Sequence, residues 1–166
     1  MNSEKHQIFE KTSRKLLDQG FTVVEKDDTR PWGGFFVIDE KQAQRFADLY
    51  FEGINVDELK ISGKLSPKIL LVAPHARLSW QYHHRRAEIW QVVDGTVGIV
   101  RSENDEEGDL KTYNPNDQVR LLQGERHRLI GLEDWGTVAE IWLHTDPENP
   151  SDEDDIVRVQ DDYARK

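Results

Sequence analysis

The sequence predicts an all-β domain, an antiparallel sandwich or jelly-roll barrel with helix and strand additions at its N-terminal end. Three observations predict it. Between Pro67 and Thr145 the chain reads as eight short segments of strand composition at close intervals. Turn-forming residues separate these segments, and helical spacing is confined to the chain upstream of Gly53.

The elements follow in order. Ser3 is placed to cap a helix running to about Gln19, with Ile8, Phe9, Leu16 and Leu17 on one face and Gly20 stopping it. "FTVVEK" and "GFFVID" have strand composition on either side of Arg30-Pro31-Trp32-Gly33. Glu40 to Glu52 returns to helical spacing through Ala43, Phe46, Ala47, Tyr50 and Phe51, and Gly53 ends it. The strands then read "KILLVA", "RLSWQY", "EIWQVV", "TVGIVR", "LKTY", "QVRLL", "RHRLIGL" and "TVAEIWLH". Asp94-Gly95 predicts a hairpin with a type I′ turn, which needs positive φ at both central residues. Asn114-Pro115-Asn116-Asp117 and Gly108-Asp109 mark further turns. No internal repeat is visible. At 166 residues the chain is expected to form one domain. An extension over residues 1–66 packs on a barrel core of 67–145, and an acidic segment, 146–166, completes it.

Composition excludes several chemistries. Without cysteine there is no disulfide framework, thiolate zinc site or cysteine nucleophile, so a metal must sit on nitrogen and oxygen ligands. The net charge of −10 argues against nucleic acid, because phosphate neutralisation requires a basic face. Much of the acidity lies in Glu103 to Asp109 and Asp146 to Asp155, read as solvated loops. The start, "MNSEKHQIFEK", lacks the apolar run of a signal peptide, and no stretch approaches the ~20 apolar residues of a membrane span. A soluble, cytoplasmic protein is expected.

The chemistry concentrates in "SWQYHHRRAEIW", Ser79 to Trp90. On a strand, Gln81 and His83 project from one face while Trp80, Tyr82 and His84 project from the other. If the chain reverses around His84 to Ala87, Glu88 opens the next strand and swings its carboxylate toward the same point. His127 in "QGERHRL" is the fourth candidate, after a turn that Gly124 permits. Gln, His, Glu and His form a mixed site for one divalent ion, zinc first, with manganese, iron, cobalt or nickel also acceptable. A single His-His pair in a sheet is more often a hydrogen-bonded pair. The spacing Gln81-x-His83-x4-Glu88-x6-Gly95, followed by Gly124-x2-His127, is what favours a metal.

These residues resemble the two cupin motifs, and are most similar to the cupin-type (type II) mannose-6-phosphate isomerases. "RPWGGF", "KILLVAP", "LSWQYHHRRAEIWQVVDGTV", "GERHRL" and "DDIVRVQDDYAR" resemble that family's blocks, in its order, from Arg30 to Arg165. The resemblance implies a cupin barrel and a metal-dependent aldose-ketose isomerase interconverting mannose 6-phosphate and fructose 6-phosphate. It carries the ligand roles to Gln81, His83, Glu88 and His127. In many relatives the cupin unit follows a nucleotidyltransferase domain, which is absent from these residues, so guanylyl transfer is not expected. The chain departs from the family at His75, Arg85, Ile89, Leu122, Trp142 and His144. Those departures leave the ligands intact and open the substrate to another phosphosugar or a pentose.

Isomerisation through an enediolate needs a base, a holder for the developing oxyanion and a grip on phosphate. Metal polarisation meets the second need. His84 and Lys68 are the candidates for acid-base transfer. Arg30, Arg86, Arg128 and Arg158 are the candidate phosphate ligands, because a guanidinium donates two parallel bonds in a fixed fork. Trp32 is a candidate for the substrate pocket wall, and Trp90 for wall or core. Two other readings stay open: a cupin dioxygenase or epimerase, and a non-catalytic sugar-binding cupin. Exposed strand edges allow a homodimer.

Overall fold

The computed structural model describes residues 2–56 and 65–163; Ala164 and Arg165 of the last resembling block lie outside the described residues. Helix α1 spans Asn2–Asp18, so Ser3 falls inside the helix and not at its cap. Phe9 and Leu16 are buried, but Leu17 is 72% exposed, because one residue further along a helix turns it about 100° from Leu16. Gly20, at φ +86, ends the helix, and Phe21 N–H closes back on Leu16 O. The segment expected to be helical from Glu40 to Glu52 is one tight turn, Glu40–Gln42, running into helix α2, Ala43–Tyr50. Its Ala43, Phe46, Ala47 and Tyr50 are buried, as their spacing requires.

Among the described residues there are eleven strands, the first ten in the expected order: β1 (Val23–Asp27), β2 (Gly33–Ile38), β3 (Lys68–Val72), β4 (Trp80–Tyr82), β5 (Arg86–Asp94), β6 (Val97–Ser102), β7 (Lys111–Tyr113), β8 (Gln118–Leu121), β9 (Arg126–Gly131), β10 (Gly136–His144) and β11 (Val157–Gln160). They form two antiparallel sheets, β1-β2-β3-β10-β5-β8 and β11-β4-β9-β6-β7. The sequence pattern did not announce β11, whose residues are half-buried or exposed. It pairs with β4, and β1 and β2 extend the first sheet beyond β3.

The Asp94-Gly95 hairpin is corrected. β5 pairs with β10 and β8, whereas β6 pairs with β9 and β7 in the other sheet. Gly95 has φ +75, but Asp94 does not have positive φ, so the turn is not type I′. It is a corner that carries the chain from one sheet to the other. Asn114 to Asp117 does form its turn: Asn116 takes φ +78 after Pro115, and Asp117 N–H donates to Asn114 O at 2.9 Å.

Strand alternation explains the two cores. On the six-stranded sheet, Phe36, Ile38, Ile69, Leu71, Ile89, Ala139 and Ile141 face outward and pack beneath Phe9, Leu16, Phe46 and Phe51. Their neighbours Leu70, Val72, Trp90, Val92 and Val138 face inward and meet Val97, Ile99 and Leu129 of the second sheet. Both faces of β3 are therefore covered, and all five of its residues are buried, which is why it reads as a continuous apolar run. In "RPWGGF", Gly33 takes φ +141, and a Cβ there would run into the Leu71 carbonyl. Its lack of a side chain lets β2 lie close on β3. Among the described residues, no helix is long and apolar enough to cross a membrane.

Candidate metal centre

The inward rows that supply the apolar core at one end of the barrel turn polar at the other. By parity, Lys68 continues the row of Leu70 and Val72; Arg86 and Glu88 continue that of Trp90 and Val92; Glu140 follows Val138. Opposite them, β4 and β9 pair Gln81 with His127. The chain leaves β4 at Tyr82, places His83, and turns through His84 and Arg85 into β5.

Gln81, His83, Glu88 and His127 converge. His83 Nε2 lies 3.3 Å from Glu88 Oε2, and His127 Nε2 lies 3.7 Å from Glu88 Oε1. Gln81 Nε2 is 3.5 Å from each imidazole Nε2. Two ligands about 2.1 Å from an ion at the tetrahedral angle are about 3.4 Å apart, so these separations suit a shared first-row ion. One ligand atom from each of His83, Glu88 and His127 can be chosen so that all lie within 4.8 Å of one another. Half a turn of the Gln81 amide exchanges its nitrogen and oxygen, presenting Oε1 to the centre while Ser79 Oγ, 2.5 Å from Oε1 now, becomes the acceptor.

The surroundings prepare both histidines. His83 Nδ1 lies 2.6 Å from Asp155 O and His127 Nδ1 3.2 Å from Glu125 O. A carbonyl only accepts, so each Nδ1 carries the proton and each Nε2 offers a lone pair, the orientation a metal requires. Trp90 packs edge-on against His127 with ring centres 5.4 Å apart, fixing the ring plane. Burial pushes His83 down to about 4, helped by Arg86 and His127 and opposed by Glu88. Burial also lowers His127. Burial acts against ionising Glu88, but the cationic forms of His83, Arg86 and His127 outweigh it and hold the carboxyl below its ordinary range. The donors are thus two neutral imidazoles and a carboxylate, and they fit a divalent cation.

Stability should depend on pH accordingly. Between about 4 and 6.5 the unfolded chain holds a proton on His83 that the folded chain lacks, and burial lowers His127 in the same direction, so stability rises with pH. Glu140 opposes this. Burial first, then Glu88, push it up to about 7, so the folded state keeps a proton that the unfolded state has lost. Two histidines against one glutamate leave a net rise of stability with pH, steepest at the acid end of this window, where the unfolded histidines are fully protonated. Urea unfolding of the metal-free chain should show higher stability at about pH 6.5 than at about pH 5. Equal or lower stability at the higher pH would contradict neutral imidazoles in the fold.

A cavity of about 150 Å³ adjoins the quartet, and Gln81 and Glu88 line it. Arg30, Trp32, Lys68, Arg86 and Arg158 line it too. Arg30 is held by Asp27 at 2.9 Å, and Lys68 lies over the rings of Phe35 and Trp142. Arg86 is committed inward: Nε donates to Glu88 at 2.9 Å, and Nη1 to Ser151 Oγ and Asp152 O. Its plane lies 3.8 Å from the Trp142 ring centre. Trp32 Nε1 is a buried donor with no hydrogen-bond partner among the described residues.

Two expected residues stand elsewhere. His84 is exposed at the turn, edge-on to Tyr82, and does not line the cavity. Arg128 follows His127 on β9, so alternation puts it on the outer face of its sheet. There it is fully buried, donating to Leu78 O, Gln160 and Glu107. Two residues were missed. Glu140 lines the cavity, taking hydrogen bonds from Trp90 Nε1 at 2.9 Å and Trp142 Nε1 at 3.3 Å. The signal was available: a lone carboxyl at an inward position of "TVAEIWLH" has no packing reason to be there. Asp155, buried against the turn that carries His83, stands in the block "DDIVRVQDDYAR", but its composition there assigned it no role.

A two-sheet barrel that gathers Gln, His, Glu and His on inward rows at one end is a cupin. The chain belongs to the family described as mannose-6-phosphate isomerase, C-terminal, which matches residues 44–161. It is 35% identical over 136 residues to the xanthan biosynthesis protein XanB of Xanthomonas campestris, covering 82% of this chain and 23% of that protein. It is 31% identical over 124 residues to the alginate biosynthesis protein AlgA of Pseudomonas aeruginosa, covering 75% and 24%. A mannose-1-phosphate guanylyltransferase of Escherichia coli is 28% identical over 142 residues, covering 86% and 24%. The chain therefore spans about a quarter of the length of these relatives. The capsular polysaccharide assembling protein CapF of Staphylococcus aureus shares the fold, with a TM-score of 0.55 at 13% identity over 82% of this chain and 34% of that one.

Proposed function

We propose that this chain is a metal-dependent aldose-ketose isomerase acting on a sugar phosphate of the mannose 6-phosphate and fructose 6-phosphate type. The observation that carries this reading is the juxtaposition of Glu88 and Glu140. Both accept from the same Trp90 Nε1, at 3.2 and 2.9 Å, so a carboxylate of the metal quartet and a near-neutral carboxyl share one wall of one cavity. Gln81, His83, Glu88 and His127 would hold a divalent ion, zinc first among the borderline metals, which when bound would polarise the carbonyl and hydroxyl oxygens of an open-chain sugar.

The side chains do the rest. Glu140, pushed up to about 7 in the metal-free chain by burial and Glu88, takes a proton from carbon 2 of the aldose and returns one at carbon 1, while the hydroxyl proton passes from oxygen 2 to oxygen 1. Its two indole donors hold the carboxyl in place between the two transfers. Lys68, on the strand beside Glu140 and opposite it in register, balances the charge that builds on the enediolate. Arg30 and Arg158 supply guanidinium groups for a phosphate, and Trp32 Nε1 supplies a donor for a sugar oxygen. Arg86 holds Glu88 in place, a positioning role instead of the phosphate role first expected. A family that matches 44–161 and relatives that include a mannose-1-phosphate guanylyltransferase support a mannose-phosphate substrate.

The test is mannose 6-phosphate carrying deuterium at carbon 2, with and without chelator. The label should leave carbon 2, to water or to carbon 1 of the fructose 6-phosphate formed, only when a divalent metal is present. Label that stays on carbon 2 of this and every other aldose phosphate tried would favour a sugar-binding cupin instead.

A further inference from the structure

The metal ligands are spaced by a reversal that β-pairing alone does not hold. β4 ends at Tyr82 and β5 begins at Arg86, so His83, His84 and Arg85 lie outside both strands. Gly124 N–H, Gln123 Nε2 and Thr145 N–H donate to the carbonyls of His83, His84 and Arg85, while the turn's own N–H groups and the His83 ring are met by one residue from the segment joining β10 to β11. The Asp155 carboxylate accepts from His84 N at 2.9 Å through Oδ1 and from Arg85 N at 3.0 Å through Oδ2. Ser151 Oγ also donates to Oδ2, at 2.6 Å, and orients the carboxylate. The backbone oxygen of the same residue faces His83 Nδ1 at 2.6 Å. Asp155 thus grips the turn with its side chain and the ligand ring with its main chain, and it is only 5% exposed.

We propose that Asp155 is a positioning residue for the metal centre. Its side chain fixes the turn, and the fixed turn registers the carbonyl against His83, holding the proton on Nδ1 and presenting Nε2 as a ready donor. Removing the carboxylate takes the acceptor from two backbone N–H groups at once, those of His84 and Arg85. The turn must then shift to find water, and the carbonyl loses its register on the imidazole. His127 provides an internal control, because its Nδ1 is held by Glu125 O and not by this segment.

The experiment compares wild-type chain, Asp155→Ala and Asp155→Asn, each stripped of metal, by long-range proton-nitrogen correlation spectra of the histidine rings. A zinc titration against a competing chelator follows. In wild type, His83 and His127 should both be Nδ1–H tautomers. In Asp155→Ala, His83 should lose that single tautomer while His127 keeps it, and zinc affinity should fall about 10–100-fold, the usual cost of losing an outer partner. Asp155→Asn keeps one acceptor and the shape, so it should lie between, and it carries the test if the alanine variant fails to fold. An unchanged His83 tautomer and unchanged zinc affinity in a folded variant would overturn the proposal. The zinc arm rests on the isomerase reading's metal site; a wild type that binds no zinc defeats that reading, while the tautomer spectra still decide the role of Asp155.

Discussion

Alanine at position 127 is expected to empty the centre of metal and to lower thermal stability in the same step. His127 contributes one of two imidazoles to a site whose ligands come from both sheets, and metal affinity is folding free energy when the unfolded chain has no comparable site. With ion at about 100 times its dissociation constant, binding stabilises the fold by about 2.7 kcal/mol. For a domain of this size that is roughly 5–11 °C in Tm. Elemental analysis should fall from about one ion per chain to none, and chelator should lower the wild-type Tm while leaving His127→Ala unmoved. Equal metal content in the two proteins would remove His127 from the ligand set.

Glu140→Gln should retain its metal and lose its chemistry. A positioned acid-base group contributes about 10²–10⁴-fold, and kcat should fall by that order with KM little changed. Because the ionised form takes the proton, wild-type kcat/KM should rise with pH as Glu140 ionises, and this limb should vanish in the variant; a bound cation offsets Glu88 and moves the limb below the metal-free value of about 7. Steady-state rates with metal-loaded enzyme across pH check both points. A variant with wild-type kcat would return Lys68 to the first place among proton carriers.

The fold was legible wherever periodicity answered to a single constraint. β3 reads as a strand because both of its faces are buried, and α2 shows its stripe because one face meets the outer core. The quartet was legible because its members sit at inward positions of rigid strands or one step beyond. What failed was long-range. Asp94-Gly95 has the composition of a hairpin, and only the pairing of β5 with β10 makes it a corner. Arg128 looked like a ligand for phosphate because it sits in a motif, yet the alternation that brings His127 inward sends its neighbour out. His84 fails for a related reason, since the turn that delivers His83 leaves the next side chain in solvent. Asp155 stood in a block resembling the family's, but its role was unreadable because it depends on contacts with a turn some seventy positions away.

The barrel's interior is unequal along its length, apolar at the end of Leu70, Val92 and Val138, charged at the end of Lys68, Glu88 and Glu140. Folding strength and the polar site are therefore lodged in different halves of the same rows. A lineage with this architecture can exchange groups at the charged end while the dry half goes on keeping the sheets together.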